Sequence, residues 1–255
     1  MAISGIYTDH ITFFADILGF KNKISSKDPS DDDFYENENE KYSNNPYNVL
    51  LAAKKISETK YLIGKQEVKI SQFSDSIAIT CTIDTYGSDI RNNIERYKEE
   101  IKEFFILIGY CFWLFIEHGG LIRGSITLGP LYHVGSCIFG PALVEAHYLE
   151  SKKAKYPRII ISKYLRDKLI QIGLEKELYI KSEDDEIFFI DVFSKVYKTN
   201  LHHEKQDERI ILEIKKKNIN YCIEKCKDEI NGDSDARDKI NEKLEWLTSY
   251  SKGTS

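Results

Sequence analysis

The hydrophobic pattern of Ile11–Phe20 (ITFFADILGF) predicts a buried strand near the start of the chain. A run of apolar and β-branched residues leads directly to Asp16, and Gly19 and Phe20 follow it. A strand that is apolar on both faces belongs in a sheet that is covered on both sides. A carboxylate at the end of such a strand is costly unless it is paired, and a metal ion is a common partner. Taken alone, the pattern fits equally well an exposed aspartate at an ordinary turn.

A second stretch, Val68–Thr82 (VKISQFSDSIAITCT), alternates between apolar and polar residues on either side of Asp75. This alternation predicts a hairpin of two strands with Ser74, Asp75 and Ser76 at its tip. If the hairpin lies beside the first strand, the side chains of Asp16 and Asp75 can share divalent cations. Oxygen ligands of this kind suit Mg²⁺ or Mn²⁺, with substrate phosphates completing the coordination.

The remaining pattern predicts a largely helical cover for these strands and a charged C-terminal region. Residues 25–46 are acidic, rich in Asn and nearly free of aliphatic side chains, which predicts a mobile surface insertion; a cation-binding or lid loop is the alternative. Helical spacing of apolar residues predicts further helices. They are Asn48–Ile63, Ile90–Glu117 (ended by Gly119-Gly120), Gly140–Lys153, and two amphipathic C-terminal helices, Asp207–Ile230 and Ala236–Tyr250.

Composition restricts the class of protein. The chain has 255 residues and a net charge of −5, which suits one large domain or a domain with an appendage and argues against a general nucleic-acid surface. The longest apolar run, Phe104–Ile116, is too short for a membrane span and predicts a buried helix. The N-terminus has no signal pattern, and the five cysteines have no metal-ligand spacing, so we expect a cytoplasmic protein with free thiols.

Several motifs, in this order, resemble those of the class III adenylate and guanylate cyclases. ADILGF resembles the first metal-binding motif of that family, and FSDSIAIT resembles its second metal-binding hairpin. Residues 121–151 (LIRGSITLGPLYHVGSCIFGPALVEAHYLES) are similar to the long signature that follows, and YPRIIISKYLRDKL and FFIDVF resemble the later strand, helix and final strand. The resemblance covers most of residues 5–195, so we expect a catalytic domain there and a helical extension over residues 205–251.

The resemblance implies an α+β fold of the ferredoxin-like palm or cyclase type: a β-α-β-β-α-β antiparallel sheet with helices on one face. It also implies a pair of Mn²⁺ or Mg²⁺ ions, held by Asp16, Asp75 and the backbone carbonyl of Ile17. In this family a ribose hydroxyl attacks its own α-phosphorus, pyrophosphate leaves and a cyclic nucleotide forms. The implied nucleotide-binding residues are Phe13, Gly19, Phe20, Lys21, Ser71, Cys137, Lys155 and Arg158.

Some of these positions have ordinary alternatives. The turn Leu18–Lys21 would offer backbone N–H groups to the phosphates. The basic cluster that contains Lys155 and Arg158 is either a triphosphate site or a solvated helix end. A short turn at His133–Ser136 replaces the longer hairpin that helps to build the dimer in mammalian-type cyclases, so the details of dimerisation are expected to differ.

The sequence departs from the family where the family carries a ribose-orienting Asn and a transition-state Arg, because Val144 and Tyr148 stand there. The purine-reading pair falls at Ser71 and Cys137; the cysteine resembles guanylate cyclases, but the small neutral serine fits neither purine pattern. These losses, with the metal motifs kept, resemble the bacterial Pycsar pyrimidine cyclases of antiphage defence, which are Mn²⁺-dependent homodimers whose product is read by a separate effector. Arg123 is the best candidate for the missing cation, or else a structural partner of an acidic residue.

The expected reaction is therefore the conversion of UTP or CTP, with UTP slightly favoured, to its 3′,5′-cyclic monophosphate (cUMP or cCMP). Two alternatives stay open. One is a catalytically inactive cyclase-like binding or scaffold domain, and the other is a palm-fold polymerase that forms dinucleotides. We expect a homodimer without nucleic-acid or membrane partners.

Overall fold

The computed structural model describes residues 6–20, 46–83, 90–184, 186–198, 219–220, 223 and 234–253. The strands are β1 Thr8–Ile17, β2 Leu62–Ile63, β3 Gln66–Glu67, β4 Lys69–Phe73, β5 Ser76–Thr82, β6 Ile122–Val134, β7 Cys137–Phe139, β8 Ile159–Ile161, β9 Ile180–Ser182 and β10 Phe188–Ile190. The helices are α1 Pro46–Glu58, α2 Ile90–Glu117, α3 Pro141–Lys152, α4 Lys163–Gln171, α5 Lys195–Lys198 and α6 Ser234–Gly253.

The main sheet has the strand order β4-β5-β1-β6-β8-β10-β9, and β7 pairs with β6. Strand β1 is central and runs antiparallel to both of its neighbours, β5 and β6. The β6–β8 pair is parallel, whereas β8–β10 and β10–β9 are antiparallel. The expected α+β class, a multi-stranded sheet with helices, is confirmed, with one parallel pair in a sheet expected to be antiparallel.

The two faces of β1 are buried differently. Alternate residues such as Ile11, Phe13 and Ala15 are fully buried in the main core, to which α2 contributes many apolar side chains. Phe14 points to the opposite face and packs against Ala78 of β5 and Ala146 of α3. Helix α3 therefore covers the second face, which corrects the expectation that all helices lie on one face. The long apolar signature of β1 is explained, because the strand is covered on both sides.

Several element boundaries match the prediction and others differ. Helix α2 has the predicted bounds, and Gly119 after it adopts the left-handed conformation with φ of +75°. The helix predicted over Asn48–Ile63 ends at Glu58, because Leu62–Ile63 pairs as a short strand with β3. The final strand stops at Ile190. The insertion at 25–46, apart from the first residue of α1, and most of the helix predicted over 207–230 lie outside the described residues.

The C-terminal helix α6 packs on the same chain. Leu244 and Leu247 are buried in the main core together with Ile223. Of the two partners considered for this helix, its own domain and a second subunit, the structure shows packing on its own domain. Over the described ranges, no helix has the length and apolar character needed to cross a membrane.

Two glycines of β6 give a matched test of how closely the central strands pack. A Cβ atom on Gly124 would lie 2.8 Å from the Phe14 carbonyl oxygen, whereas one on Gly129 would meet only the Ala142 Cβ at 3.8 Å. We expect Gly124→Ala to lower the free energy of unfolding by about 1–3 kcal/mol, since backbone must move. Gly129→Ala should change it little. Urea unfolding measures both, and equal destabilisation by the two substitutions would contradict the packing described here.

Candidate active site at the ends of the central strands

The pairing of β1 with β5 brings Asp16 and Asp75 together. Asp16 lies opposite Ser76 in the register of the two strands, so Asp75 is the next residue, in the turn of the predicted hairpin. The backbone N–H of Ile17 donates to the Asp75 carbonyl at 3.0 Å, and the Ser76 hydroxyl lies 3.5 Å from Asp16 Oδ1. The antiparallel register thus brings Asp75 across from Ile17, the residue after Asp16, and the Asp75 carboxylate is near enough to help raise the pKa of Asp16.

Arg123 of β6 lies on the other side of Asp16. The two residues are directly opposite each other in the β1–β6 register, with Arg123 Nη2 3.7 Å from Asp16 Oδ2. The Nε atom of the same guanidinium is 2.7 Å from Glu150 Oε1, as an ion pair outside hydrogen-bond geometry. The structural alternative for Arg123, pairing with acidic residues, is therefore observed; a role in chemistry stays a prediction.

Glu150 was missed by the sequence reasoning. It is 3% exposed, although it sits near the charged end of α3. Its signal is its spacing, because Ala142, Ala146 and Glu150 are four residues apart and form the buried stripe of that helix. A carboxylate on an otherwise small, apolar stripe indicates a buried partner, which is Arg123.

The site carries more negative than positive charge. Burial, together with the carboxylates of Glu150 and Asp75, raises the pKa of Asp16 to about 6, against a smaller opposing effect of Arg123. Burial also raises the pKa of Glu150 against the effect of Arg123. Carboxylates that destabilise one another at the end of strands favour a bound cation, and such perturbed groups are frequent at functional sites.

The donor set fits a hard divalent cation. Asp16 and Asp75 supply carboxylate oxygens. The third oxygen is the backbone carbonyl of Ile17, which follows Asp16 in the chain and donates its N–H to the Asp75 carbonyl. Within the described parts of the chain, no group of three or more His, Cys, Asp or Glu residues is arranged to hold a metal ion. Mg²⁺ and Mn²⁺ need no such cage, since one or two carboxylates, water and substrate phosphates suffice. Asp16, Asp75 and the Ile17 carbonyl are the groups that would hold the ions.

The turn after β1 provides part of the expected phosphate loop. Gly19 has φ of +76°, a conformation that favours glycine, and it is exposed. The N–H of Leu18 donates to the Leu121 carbonyl at 2.8 Å, so it is not free for a phosphate. The Phe20 side chain is buried in the main core, and Lys21 lies outside the described residues. Within the described part of this turn, the backbone of Gly19 and Phe20 remains a candidate for phosphate contact.

The structure does not support three of the predicted nucleotide contacts. Phe13 is fully buried in the main core, on the face of β1 opposite Asp16. Its side chain therefore packs within that core and does not contact a nucleotide. Lys155 is ion-paired with Glu242 of α6 at 2.5 Å. Arg158 is 3% exposed and pairs with Glu183 at 2.5 Å. Both cations already have carboxylate partners, and the burial of Arg158 also differs from the solvated helix end that was the alternative to a triphosphate site.

Ser71 takes part in a buried polar contact. Its hydroxyl lies 2.9 Å from His133 Nε2, and the Thr80 hydroxyl lies 2.7 Å from the other ring nitrogen. Burial lowers the pKa of His133 to about 4, so the ring is neutral near pH 7. The second predicted base-reading residue, Cys137, is exposed on β7 and has a free thiol. The short turn predicted before it is present at 135–136.

The two positions that depart from the cyclase pattern lie on the outer face of α3. Val144 and Tyr148, one helical turn apart, are 69% and 53% exposed. Neither side chain faces Asp16 from within the same chain, because the buried stripe of α3 is formed by other residues.

Comparison with known proteins finds similarity at the level of the fold. No protein-family model matches the sequence, and no curated protein matches it. The structure is similar to a class III adenylyl cyclase-like ATP-binding protein from Pseudomonas aeruginosa, with a TM-score of 0.44 and 14% identity. That match covers 70% of this chain and 39% of the other, so the chain spans well under half of that relative's length.

A second similar structure is the guanylyl cyclase Cya2, with a TM-score of 0.38 and 13% identity. It covers 72% of this chain and 91% of the other. These two similar structures are thus a cyclase-like protein and a cyclase. With identities and TM-scores this low, the likeness carries no argument about activity.

The raised pKa of Asp16 predicts a pH-dependent cost to stability. Its pKa is 3.8 in a model peptide and about 6 in the folded chain, so the folded state binds the extra proton between these values. The contribution of this group to stability is full below pH 3.8 and is lost as the pH rises through about 6.

We therefore expect Asp16→Asn to raise the free energy of unfolding at pH 7 by about 1–3 kcal/mol and to flatten its change with pH. Urea unfolding from pH 4.5 to 7.5 measures this, with exposed Asp167→Asn as the control. A variant that is less stable than the wild type at pH 7 would show that Asp16 is stabilising, against the charge balance described here.

Proposed function

We propose that the chain is a nucleotidyl cyclase that converts a pyrimidine nucleoside triphosphate to its 3′,5′-cyclic monophosphate and pyrophosphate. UTP is slightly favoured over CTP as the substrate. The observation that carries the proposal is the pairing of Asp16 and Asp75 at adjoining strand ends, with a surplus of negative charge. A binding scaffold has no evident need for two neighbouring carboxylates, one of which raises the pKa of the other, Asp16. The motif order along the chain adds support.

The chain's own residues would mainly position the substrate and stabilise its negative charge. Asp16 and Asp75 would hold divalent cations, which, when bound, lower the pKa of the ribose hydroxyl and neutralise triphosphate charge. Arg123 is fixed by Glu150, so its guanidinium would offer a preorganised positive charge beside Asp16. The ribose 3′-oxygen attacks the α-phosphorus in line, the bond to the bridging oxygen breaks, and pyrophosphate leaves. Most of the barrier is met by orientation and electrostatics.

The pyrimidine preference rests on the resemblance and on the character of the Ser71 position. Ser71 is small, buried and hydrogen-bonded to a neutral histidine, so it offers no charged group to a purine. The proposal includes a homodimer, for which the exposed Val144 and Tyr148 provide an apolar helix face. It also includes a product read by a separate effector in antiphage defence, for which the resemblance is the support.

A second candidate function, a non-catalytic nucleotide-binding domain, is favoured by one observation. The helix face that carries Asn and Arg in the cyclases carries Val144 and Tyr148 here, and neither can donate the same hydrogen bonds. Such a domain would still bind cation and nucleotide without turning them over.

The proposal predicts a cyclic product from UTP or CTP. The purified chain is incubated with each ribonucleoside triphosphate and Mn²⁺, and products are separated by chromatography with mass detection. We expect Asp75→Ala to lower turnover by about 100-fold or more, since a carboxylate for the cation is lost. Exposed Asp167→Ala, on α4, should leave turnover unchanged.

Other outcomes decide between the candidates. A cyclic purine product would overturn the pyrimidine assignment and keep the reaction class. No product from any nucleotide, with thermal stabilisation by Mn²⁺ and nucleotide that Asp75→Ala abolishes, would favour the non-catalytic binding domain. A linear or cyclic dinucleotide would identify a polymerase of the same fold.

A further inference from the structure

The hairpin of β6 and β7 is held against the sheet by polar contacts of one residue, His133. Its ring Nε2 lies 2.9 Å from the Ser71 hydroxyl of β4, and its ring Nδ1 lies 2.7 Å from the Thr80 hydroxyl of β5. The Lys69 ammonium donates to the His133 backbone carbonyl, and the ring itself is buried. Both ring nitrogens are therefore occupied by hydroxyl groups, one on each of two neighbouring strands.

Ser71 lies on the face of the sheet that carries Asp16. It pairs with Ala78 in the β4–β5 register, and Ala78 pairs with Phe14 of β1. Residues that pair across strands share a face, and so do residues two apart in one strand, such as Phe14 and Asp16. The Ser71 hydroxyl is therefore on the side of the sheet where the Asp16 carboxylate lies.

The neutral His133 ring gives the two hydroxyls opposite roles. Burial lowers the pKa of His133 to about 4, so the ring carries a single N–H near pH 7. A neutral imidazole donates through that nitrogen and accepts through the other. One hydroxyl therefore donates to the ring, whereas the other accepts from the ring and keeps its own proton for another partner.

Burial decides which hydroxyl donates to the ring. Thr80 is fully buried, and within the described part of the chain its hydroxyl bonds only to His133. The Thr12 hydroxyl, opposite Thr80 in the β1–β5 register, has no hydrogen bond among the described residues, so it takes no proton from Thr80. If Thr80 accepted from the ring, its own proton would stay buried without an acceptor, which is costly. Thr80 therefore donates to Nδ1, and Nε2–H donates to Ser71.

This arrangement leaves the Ser71 proton available to a ligand. Ser71 is 8% exposed, whereas Thr80 is completely enclosed. Because the Ser71 oxygen already accepts from the ring, its O–H is the donor of this group that still lacks an acceptor among the described residues. Such a hydroxyl gains most from a ligand atom that accepts a hydrogen bond, such as a carbonyl oxygen, and an amino group cannot serve that purpose.

We propose that His133 is a positioning residue for substrate choice: it holds Ser71 as a donor, so that the site prefers the 4-carbonyl group of uracil to the 4-amino group of cytosine. The inference rests on the proposed function for the contact between Ser71 and the base. Binding of cytosine would leave the Ser71 proton without an acceptor, which costs free energy that uracil does not lose. The hydrogen bonds of the chain thus supply a physical reason for UTP over CTP.

The test measures the binding of 3′-deoxy-UTP and 3′-deoxy-CTP to the full-length chain, by calorimetry in the presence of Mn²⁺. These nucleotides lack the attacking hydroxyl, so they are not cyclised. We expect the wild type to bind the uracil nucleotide about 5- to 100-fold more tightly than the cytosine nucleotide. Ser71→Ala should reduce this ratio to about threefold or less, because the discriminating donor is lost.

A matched pair of variants isolates the role of His133. Because His133→Phe would also remove the contacts that hold the hairpin, the test uses Thr80→Val, which removes the hydroxyl that orients the ring. Its control is Thr82→Val, on the same face of β5, whose hydroxyl lies 3.2 Å from Nε2 of a different buried histidine, His10. We expect Thr80→Val to reduce the uracil-to-cytosine ratio to about threefold or less, and Thr82→Val to leave it within about twofold of wild type.

The ratio separates this proposal from a merely structural role and from the proposed function. A structural role would weaken the binding of both nucleotides equally, so an unchanged ratio in Thr80→Val or in Ser71→Ala would overturn the proposal. A wild type that binds both nucleotides equally, prefers cytosine or binds neither would also overturn it. The expected ratios without any cyclic product from UTP would support the role of His133 and reject the cyclase assignment alone. Circular dichroism and thermal unfolding check that each variant is folded.

Discussion

The antiparallel pairing of β1 with β5 on one side and β6 on the other is the constraint on which the rest of the site depends. This register places Asp16 between Ser76 and Arg123 and puts Asp75 one residue further along. Because the side-chain period of a strand is two, a shift of one residue would move Asp16 into the main core. The burial of the apolar residues of β1 therefore fixes the position of the Asp16 carboxylate.

The site combines groups that stabilise the fold with groups that oppose it. Arg123 pairs with Glu150 and ties α3 to the end of the sheet. Burial, together with the nearby carboxylates of Glu150 and Asp75, raises the pKa of Asp16, which is a cost to the unliganded chain. Proteins keep such destabilising arrangements where a ligand relieves them. Cation binding would relieve this one, since it supplies the positive charge that the side chains lack.

The helix α6 changes how the domain boundary is understood. Sequence reasoning treats the region after the cyclase-like signature as an extension, yet Leu244 and Leu247 are as buried as the residues of the central strands. The same helix engages Lys155 through Glu242 and stacks Trp246 near Arg158. Residues that resemble a phosphate-binding cluster in sequence are thus partly occupied by packing.

The sequence alone determined the central strand, the hairpin that presents Asp75 and the bounds of α2, because these depend on local periodicity and turn chemistry. It also identified Asp16 and Asp75 as candidate partners. It could not place Glu150, since that residue lies on a helix whose orientation is set by packing against residues far away in the chain. Nor could it show that Arg158 and Phe13 are buried. The distances between side chains in the folded chain decide which charged groups form a cluster, and the sequence does not contain those distances.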